Sequence, residues 1–591
     1  MGRTDQADGR PAAGMSRVAG PLPLQFFLAL GLGLLLLAAL GLTLVFGPGS
    51  YADIDHLRHL RYHDGTFRTL PVALSPAGYQ NVKLGLLALV GVLGLVTAWG
   101  FRTGGWLRQE VGALRREHRA APSLLAPWHA LPRKDKATAL GLLGLLLLVR
   151  GYYLAYYPLY GDEVVSYLSF VREGPVAALS YYPIPNNHIL YSVLCWLFSQ
   201  LSSNVYFAMR LPTLLISTVG TALVGLLLLP RTGFQVTALT VFLFAFFPYS
   251  LFQAVVGRGY FLLAFCSQVA LVAALALLNN TDRPRRAWTV LVCSAVAGLY
   301  AMPTFLLIFG ALFGSLGLSF IFQRQWSQLG QLIPAGLVTG ITTLLLYAPV
   351  LVVSGAGALF ANGYVAPGAG STPDLTGLSY VLRTEGQLLG AGPLGALLSV
   401  SISLAALFSS RRRRGSSRHL VFLALGLLWV PYLLLAARGI FPPARVLSFR
   451  IFFLLLPAAL LYEQVLTRWV SRPAFRHPAL ALGLPVVAWA LLGLRPFHQR
   501  ALLEGQRNAR VASTYSWLRH HGARRVLTLH PHYQLYLTFF SQQDRANLRV
   551  DASRQPGVSY DYQLTDKETS PAPPAQPALF ENEDVRVKPL R

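Results

Sequence analysis

Two adjacent carboxylates, Asp162 and Glu163, are well suited to acid–base chemistry, because they directly follow an apolar stretch that ends in tyrosines. Acids at the end of a segment long enough to cross a membrane are costly and are often functional. On a helix, adjacent side chains point about 100° apart, so the two would face different partners. One could act as a base toward an acceptor while the other binds a metal or positions a neighbour. In the structural alternative, Asp162 caps the helix running to Arg172, and Glu163 lies in its first turn.

A second group of polar residues follows after a stiff segment, Pro183-Ile184-Pro185. Asn186, Asn187 and His188 then open a short apolar helix. The N-terminus of a helix offers free N–H groups to an anion, and His188 could add positive charge toward a phosphate. The alternative for His188 is a cap on that helix at the membrane interface.

The third candidate is Arg258, which lies between two glycines and is followed by Tyr260. An arginine in such a turn could bind a phosphate with two N–H groups at once. The alternative is a side chain that snorkels toward the lipid headgroups. Further arginines are expected near the same face of the membrane, and a cluster of this kind calls for an anion such as lipid phosphate: Arg210, Arg438, Arg445 and Arg450.

These residues lie in a chain whose composition indicates a membrane protein. Of its 591 residues, 54% are hydrophobic and 13% are charged, about half the charged share of soluble domains. The net charge is +26, but the basic residues concentrate in short loops between apolar blocks, which favours contact with anionic lipid over nucleic acid. The three cysteines lie in apolar stretches without metal-ligand spacing and are expected to be small core residues.

About thirteen apolar blocks are expected to cross the membrane as helices. They are 22–46, 81–101, 138–158, 211–229, 236–254, 260–278, 288–302, 303–322, 332–353, 388–409, 420–437, 448–466 and 478–494. The blocks on either side of Met302-Pro303 are together too long for one span, so a tight hairpin is predicted there.

The distribution of Lys and Arg predicts the orientation. The basic loop 102–137 should be cytoplasmic, whereas the nearly charge-balanced loops 159–187 and 354–387 should be outside. These assignments agree only if the short apolar segment Ile189–Leu201 lies in the interface without crossing, which extends the outer loop to 159–210. If it crosses, the Arg283–Arg286 cluster moves outside.

The predicted fold is therefore an all-α polytopic membrane protein with juxtamembrane helices in an outer loop and a small α/β C-terminal domain. Within that domain we expect a helix at Ala512–His521, strands at Arg525–Leu529 and Leu535–Phe540, and a disordered tail from Thr565. The predicted organisation is a disordered N-terminal tail 1–21, two extra helices and a basic loop in 22–137, a catalytic membrane module 138–409, further membrane helices 410–496 and an outer-face domain 497–591.

The Asp-Glu pair after a span, the Pro-Asn-Asn-His-Ile-Leu-Tyr run and the later Arg-Gly-Tyr together resemble the GT-C glycosyltransferases of the dolichyl-phosphate-mannose mannosyltransferase and aminoarabinose transferase group, including bacterial relatives. The resemblance covers 138–409. It implies a bacterial cytoplasmic membrane and an inverting transfer of a sugar from a polyprenyl-phosphate donor at the outer face. The spans 22–46 and 81–101 precede the first family helix and have no counterpart.

Residue by residue, the resemblance implies that Asp162 is the acid–base residue and that Glu163 is its partner. His188 and Arg258, with Asn187 and Tyr260, would hold the donor phosphate. By their position near the outer face, and not by the resemblance, Arg210, Arg445 and Arg450 are candidates for further cations. No cofactor is required. A divalent metal is compatible with Asp162 or Glu163, although no metal-ligand spacing such as HExxH is present.

A multi-span transporter or a lipid-handling protein without transferase chemistry is the alternative function. A transporter would place polar or charged residues in the middle of its spans, whereas the acids here avoid span centres and gather at one face, and Arg150 inside the block 138–158 is an exception. The sugar, the acceptor (lipid, glycan or protein) and the oligomeric state cannot be read from the sequence.

Overall fold

A computed structural model describes residues 22–60, 74–360, 377–411, 415–469, 478–567 and 578–590, without the side chains of 467–469, 478–485 and 490. The predicted disordered segment 1–21 lies outside these residues. The described chain is predominantly helical, and its strands are confined to the C-terminal part.

The helices of the N-terminal half are α1 Leu24–Phe46, α2 Tyr51–His59, α3 Pro76–Arg102, α4 Trp106–Arg119, α5 Ala126–His129, α6 Arg133–Tyr156, α7 Gly161–Ser166, α8 Pro175–Ser180, α9 Ile189–Ser199, α10 Val205–Phe246, α11 Pro248–Val255, α12 Tyr260–Leu278 and α13 Pro284–Ala301. A π-helical turn, Tyr167–Val171, continues α7.

The helices of the C-terminal half are α14 Phe305–Phe322, α15 Trp326–Val353, α16 Ala356–Phe360, α17 Gly377–Leu389, α18 Pro393–Ser410, α19 Ser416–Arg438, α20 Arg450–Trp469, α21 Pro478–His520 and α22 Pro531–Gln543. A short 3₁₀ helix, Ala444–Leu447, precedes α20.

Nine helices in the described part of the chain are long and apolar enough to cross a membrane, judged by length and composition. They are α1, α3, α6, α10, α12, α14, α15, α18 and α19. The prediction of a polytopic helical membrane protein is confirmed, but the count of thirteen spans is not. One reason is that the predicted block 211–229 and part of the block 236–254 lie in α10, whose 42 residues form two helices joined at Gly233, where φ is 76°, but count as one candidate span.

Two local predictions about the helices agree with the structure. The hairpin at Met302-Pro303 is confirmed, since α13 ends at Ala301 and α14 begins at Phe305. Helix α9 has 11 residues and is therefore about 16 Å long, roughly half the thickness of the hydrocarbon core. Its length fits a helix that does not cross, while the orientation of the chain in the membrane stays a prediction.

The C-terminal part is a small α/β domain, as predicted. Its five-stranded sheet has the order β2-β1-β3-β5-β4. The strands are β1 Arg525–Thr528, β2 Arg549–Asp551, β3 Tyr562–Asp566, β4 Phe580–Glu581 and β5 Val585–Pro589. Strand β1 runs parallel to β2 and β3, whereas β5 is antiparallel to β3 and β4. The predicted strand at Arg525–Leu529 and the helix at Ala512–His521, which forms the end of α21, are confirmed.

Two predictions for this domain are wrong. Leu535–Phe540 is part of helix α22, because Pro531 occupies the first helical turn and the buried Tyr533, Tyr536 and Leu537 recur at helical spacing. The high strand propensity of Tyr, Leu, Thr and Phe concealed this pattern.

The disorder predicted from Thr565 onward also fails for residues 578–590. Strand β5 pairs with β3, and Val587 of β5 is buried opposite Leu564. The biased segment 568–577 lies outside the described residues.

Candidate active site

Glu163 is completely buried and forms a bidentate ion pair with Arg210 of α10. Arg210 donates from Nε to Oε1 (2.8 Å) and from Nη2 to Oε2 (2.7 Å). The backbone N–H of Gly257 donates to Oε1 (2.7 Å), and that of Tyr160 donates to Oε2 (2.8 Å). Both carboxylate oxygens are thus occupied. Glu163 joins α7, α10 and the turn between α11 and α12.

Arg210 uses its other donors on the end of α6. Its Nη1 donates to the carbonyls of Leu154 (2.9 Å) and Tyr157 (2.6 Å), and Nη2 donates to that of Pro158 (2.8 Å). These carbonyls have no partner within their own helix, so Arg210 satisfies them as a cap. The side chain is completely buried and is not available to a phosphate, contrary to the expectation of a further donor-binding cation.

Asp162 has a different environment from its neighbour. Its side chain is 30% exposed, and Oδ2 lies 3.8 Å from Arg258 Nη2, beyond hydrogen-bond distance. The residue at the N-cap of α7 is Tyr160, and the reciprocal capping bond comes from Glu163. The structural alternative for Asp162, an N-cap, is therefore wrong. Its carboxylate is free to accept a proton or a hydrogen bond from a ligand.

Arg258 is held behind Asp162 by the backbone of α7. Its Nη1 donates to the carbonyl of Asp162 (3.0 Å) and to Ser166 Oγ (3.2 Å). The flanking glycines permit this close approach. A Cβ on Gly257 would lie 2.3 Å from the carbonyl oxygen of Met209, and one on Gly259 would lie 2.9 Å from Cβ of His188. Side chains at either position would displace the arginine.

His188 is held as a neutral hydrogen-bond donor. The backbone N–H of Gly259 donates to Nδ1 (2.8 Å), so in the neutral ring Nε2 carries the proton. Burial and then the positive charges of Arg258 and Arg445 hold the pKa of His188 well below its usual range. The expectation that His188 adds positive charge is therefore not met. Its Nε2 lies 3.3 Å from Arg258 Nη2, so His188 is in direct contact with the arginine that lines the cavity.

A cavity of about 540 Å³ opens in front of these residues. Its polar lining residues are Asp162, Arg258, Arg445, Arg500, Tyr160, Tyr249 and Tyr260. Its apolar lining residues include Phe247, Phe252, Leu388, Trp489, Leu492 and Phe497. The lining thus combines one partly exposed carboxylate and three guanidinium groups with aromatic and aliphatic side chains. The structure brings four predicted residues to this cavity, namely Asp162, Arg258, Tyr260 and Arg445, and it places His188 directly behind Tyr260, with ring centroids 4.9 Å apart.

Three other predicted residues, Asn187, Arg210 and Arg450, do not line the cavity, because other parts of the protein bind their side chains. Asn187 is buried, donates to the carbonyls of Ala178 and Tyr181 and accepts from Ser192, so it shapes the loop. Arg450 is buried and paired with Glu385, in the same way that Arg210 is paired with Glu163.

Arg500 of α21 was missed by the sequence analysis. Its guanidinium group lies 4.6 Å from the ring centroid of Phe252 and 5.9 Å from that of Tyr160. The signal that singled out Arg445, an arginine next to a span on the predicted outer side, applies equally to Arg500 and could have found it.

Two remaining features give little support to an active site: a possible metal site and the buried Arg150. Among the residues that the structure describes, no group of three or more His, Cys, Asp or Glu side chains could hold a metal ion, and a metal at Asp162 or Glu163 stays a prediction. The guanidinium group of Arg150 is buried 5.2 Å from the ring centroid of Phe261, and within the described part of the chain it has no hydrogen-bond partner.

Comparisons with known proteins give matches in structure alone. No family model and no curated protein matches the sequence. ArnT from Cupriavidus metallidurans in the apo state is similar over 76% of this chain and 97% of its own, with a TM-score of 0.49 and 13% identity. The same protein bound to undecaprenyl phosphate gives the same coverage, with a TM-score of 0.48 and 14% identity.

A third similar structure is that of the arabinosyltransferase EmbB from Mycobacterium smegmatis. It matches over 64% of this chain and 34% of its own length, with a TM-score of 0.41 and 14% identity. Similarity at these levels leaves the chemistry to be argued from the residues of this chain.

Proposed function

We propose that this protein transfers a sugar from a polyprenyl-phosphate donor to an acceptor at the outer face of a membrane. The observation that carries the proposal is a cavity lined by a partly exposed carboxylate, Asp162, by the guanidinium groups of Arg258, Arg445 and Arg500, and by large apolar side chains. A donor of this class has the matching parts, namely a sugar, one phosphate and a hydrocarbon chain. The sequence resemblance to GT-C glycosyltransferases supports the same assignment.

In the proposed reaction, the cations act on the leaving group. The bond between the anomeric carbon and the phosphate oxygen breaks, and its electron pair stays on the phosphate. Arg258 and Arg445, which both line the cavity, stabilise the charge that develops there, and His188 contacts Arg258 from behind. A phosphate that is held in this way leaves without being protonated, so no second carboxylic acid is needed on that side.

Asp162 acts on the acceptor. Its carboxylate takes the proton of an acceptor hydroxyl or amine as the new bond to the anomeric carbon forms. A single displacement of this kind inverts the anomeric configuration. Glu163 has a supporting role in this scheme, since its two oxygens are already occupied by four donor groups and it holds α7 in place.

The aromatic and aliphatic wall accounts for the lipid part of the donor. In this proposal Phe247, Phe252, Trp489 and Phe497 contact the first isoprene units, while the arginines of the cavity hold the phosphate. Pockets of 300–1,000 Å³ are the usual size for small ligands, and this cavity of about 540 Å³ falls within that range.

The decisive experiment separates binding from transfer. We expect Asp162→Asn to accumulate and to bind polyprenyl phosphate like the wild type, but to transfer sugar from radiolabelled polyprenyl-phosphate sugars in membranes roughly 10²–10⁴-fold more slowly. Asp282→Asn, which removes an exposed acid elsewhere, is the matched control and should transfer normally. Wild-type transfer by Asp162→Asn would overturn the proposed base, and an absence of transfer from every such donor by the wild type would overturn the proposed function.

A further inference from the structure

A second cavity lies at the opposite end of the helical bundle from the candidate active site. It has a volume of about 400 Å³, and Ala276 of α12 is one of its lining residues. Tyr260, the first residue of the same helix, lines the active-site cavity. Sixteen residues of helix separate the two positions, a distance of about 24 Å along the axis. The two cavities therefore lie near opposite ends of a membrane-spanning helix.

Three arginines line this second cavity: Arg231, Arg283 and Arg286. Nη1 of Arg231 donates to the carbonyl of Leu227 in its own helix, and Nη2 of Arg283 donates to the carbonyl of Ala120 (2.7 Å). Within the described part of the chain, no carboxylate forms an ion pair with any of the three. Like charges gathered in one cavity repel each other, so an anion between them would be stabilising.

Two nearby acids, Glu110 and Glu117, are already engaged by another arginine, and Asp282, next to Arg283, is exposed to solvent. Arg285 forms ion pairs with Glu110 (2.8 Å) and Glu117 (3.5 Å) of α4. Glu117 also accepts from the backbone N–H of Arg286 (3.0 Å). These contacts fix α4 against the start of α13 and leave the three cavity arginines without a neutralising partner.

The rest of the lining is mostly apolar. Leu226, Val269, Val272 and Ala273 line the second cavity beside the arginines. Leu226 also lines a neighbouring cavity of about 230 Å³. The residues lining that space are almost entirely apolar: Leu125, Trp128, Leu131, Ala139, Leu140, Leu143, Leu229, Phe234, Ala238, Val241 and Phe242 among them.

We infer that the second cavity binds one anionic phospholipid, with its phosphate between Arg231, Arg283 and Arg286 and an acyl chain running past Leu226 toward the neighbouring apolar cavity. Basic pockets between membrane helices bind phospholipid headgroups in this way. A free phosphate would leave the apolar space unfilled, whereas a lipid matches both parts. The segment after α4, with Pro122, forms part of the wall, so the lipid would join the N-terminal extension to α10, α12 and α13.

The test uses purified full-length protein in an uncharged maltoside detergent. Phosphatidylglycerol is titrated, and bound lipid is counted by native mass spectrometry. We expect Arg231→Gln combined with Arg286→Gln to weaken the specific binding on the order of thirtyfold. The matched control combines Arg108→Gln with Arg115→Gln, which removes the same charge from exposed positions on α4, and it should bind like the wild type.

A second variant keeps every charge. Ala276→Phe places a large side chain in the apolar part of the cavity. It is expected to abolish the specific binding although the three arginines remain. Neither an uncharged diacylglycerol glucoside nor inorganic phosphate should compete with phosphatidylglycerol. Equal binding by the cavity variants and the control variant would overturn the inference, and so would displacement of the lipid by inorganic phosphate alone or binding by Ala276→Phe at the wild-type level.

Discussion

Tyr536 of the C-terminal domain donates its hydroxyl to the backbone carbonyl of Leu159, three residues before Asp162. Asn508 of α21 donates to the same carbonyl (3.2 Å), and Leu535 packs 3.6 Å from the position that a Cβ on Gly161 would take. The C-terminal domain therefore supports the chain segment just before Asp162, the proposed base.

The first prediction tests this support. We expect Tyr536→Phe to lower the maximal rate of transfer several-fold with little change in the KM for the donor, because Asp162 is held less firmly while the cations that bind phosphate stay in place. The lost hydrogen bond contributes about 1 kcal/mol, so the variant should still fold. Tyr515→Phe removes a hydroxyl that bonds to Asp544 within the same domain and serves as control. Equal rates for the two variants would contradict the proposed support.

The second prediction concerns the buried pair Glu163–Arg210. Removing one partner of a buried ion pair leaves the other charge uncompensated and costs about 3–5 kcal/mol. We expect Glu163→Gln to reduce accumulation and lower the thermal unfolding temperature, whereas each correctly folded molecule still transfers sugar. Transfer per folded molecule can be measured after size-exclusion chromatography. A variant of normal stability without transfer would return Glu163 to the catalytic role that the sequence resemblance implies.

The neighbouring acids Asp162 and Glu163 illustrate how much of the site can be predicted from the sequence. The type and position of Asp162, Arg258, Tyr260 and Arg445 were sufficient to predict a polar site between spans, and the apolar blocks were sufficient to predict the helices. The family resemblance assigned the acid–base role to Asp162, but the pair of residues alone did not predict which of the two carboxylates faces the cavity. That choice depends on Arg210, 47 residues later, and on the N–H of Gly257, 94 residues later, both of which take up Glu163.

The same limit explains the residues that were misjudged. Arg210 and Arg450 were expected at the donor because arginine near an outer face suggests an anion, yet each is buried against an acid, Glu163 and Glu385 respectively. The anion that the argument required was supplied by the protein itself. Composition and spacing predict that a buried arginine needs a partner, but only the packed helices decide whether this partner is a ligand or a side chain.

The third prediction is a pH dependence of stability. Burial and the neighbouring arginines hold the pKa of His188 well below its usual range in the folded protein. The unfolded state, with a histidine pKa of about 6.5, takes up the proton first as the pH falls, so the free energy of unfolding decreases below that pH. We expect His188→Asn, which still offers an acceptor to the N–H of Gly259, to lose less stability than the wild type between pH 7.5 and pH 5.5.

A second buried histidine, His532, also contributes to the pH dependence of stability, and its contribution has to be measured separately. Burial, followed by the charge of Arg507, lowers the pKa of His532 to about 3, so this residue also destabilises the folded protein in acid. The variant His532→Gln provides the comparison, and thermal unfolding at both pH values is the measurement. If His188→Asn and the wild type lose the same stability, His188 is not held neutral by its surroundings.

The last prediction distinguishes charge from geometry at Arg258. Its Nη1 bonds to the carbonyl of Asp162 and to Ser166 Oγ, while Nη2 stands beside His188 Nε2, so the guanidinium group both fixes α7 and presents a donor to the cavity. Lysine keeps the charge but cannot make these contacts together. Removal of one such donor group typically slows a reaction 10²–10³-fold, so we expect that loss for Arg258→Ala and roughly a tenfold loss for Arg258→Lys. The difference should appear in the rate of transfer and in donor binding, both measured with a polyprenyl-phosphate sugar. Arg383→Ala, which removes an exposed arginine of α17 outside the cavity, should leave both quantities unchanged.

If Arg258→Lys loses as much activity as Arg258→Ala, the forked geometry of the guanidinium group matters more than its charge. If neither variant loses activity, Arg258 serves only to anchor the chain at the interface, and the donor phosphate binds elsewhere.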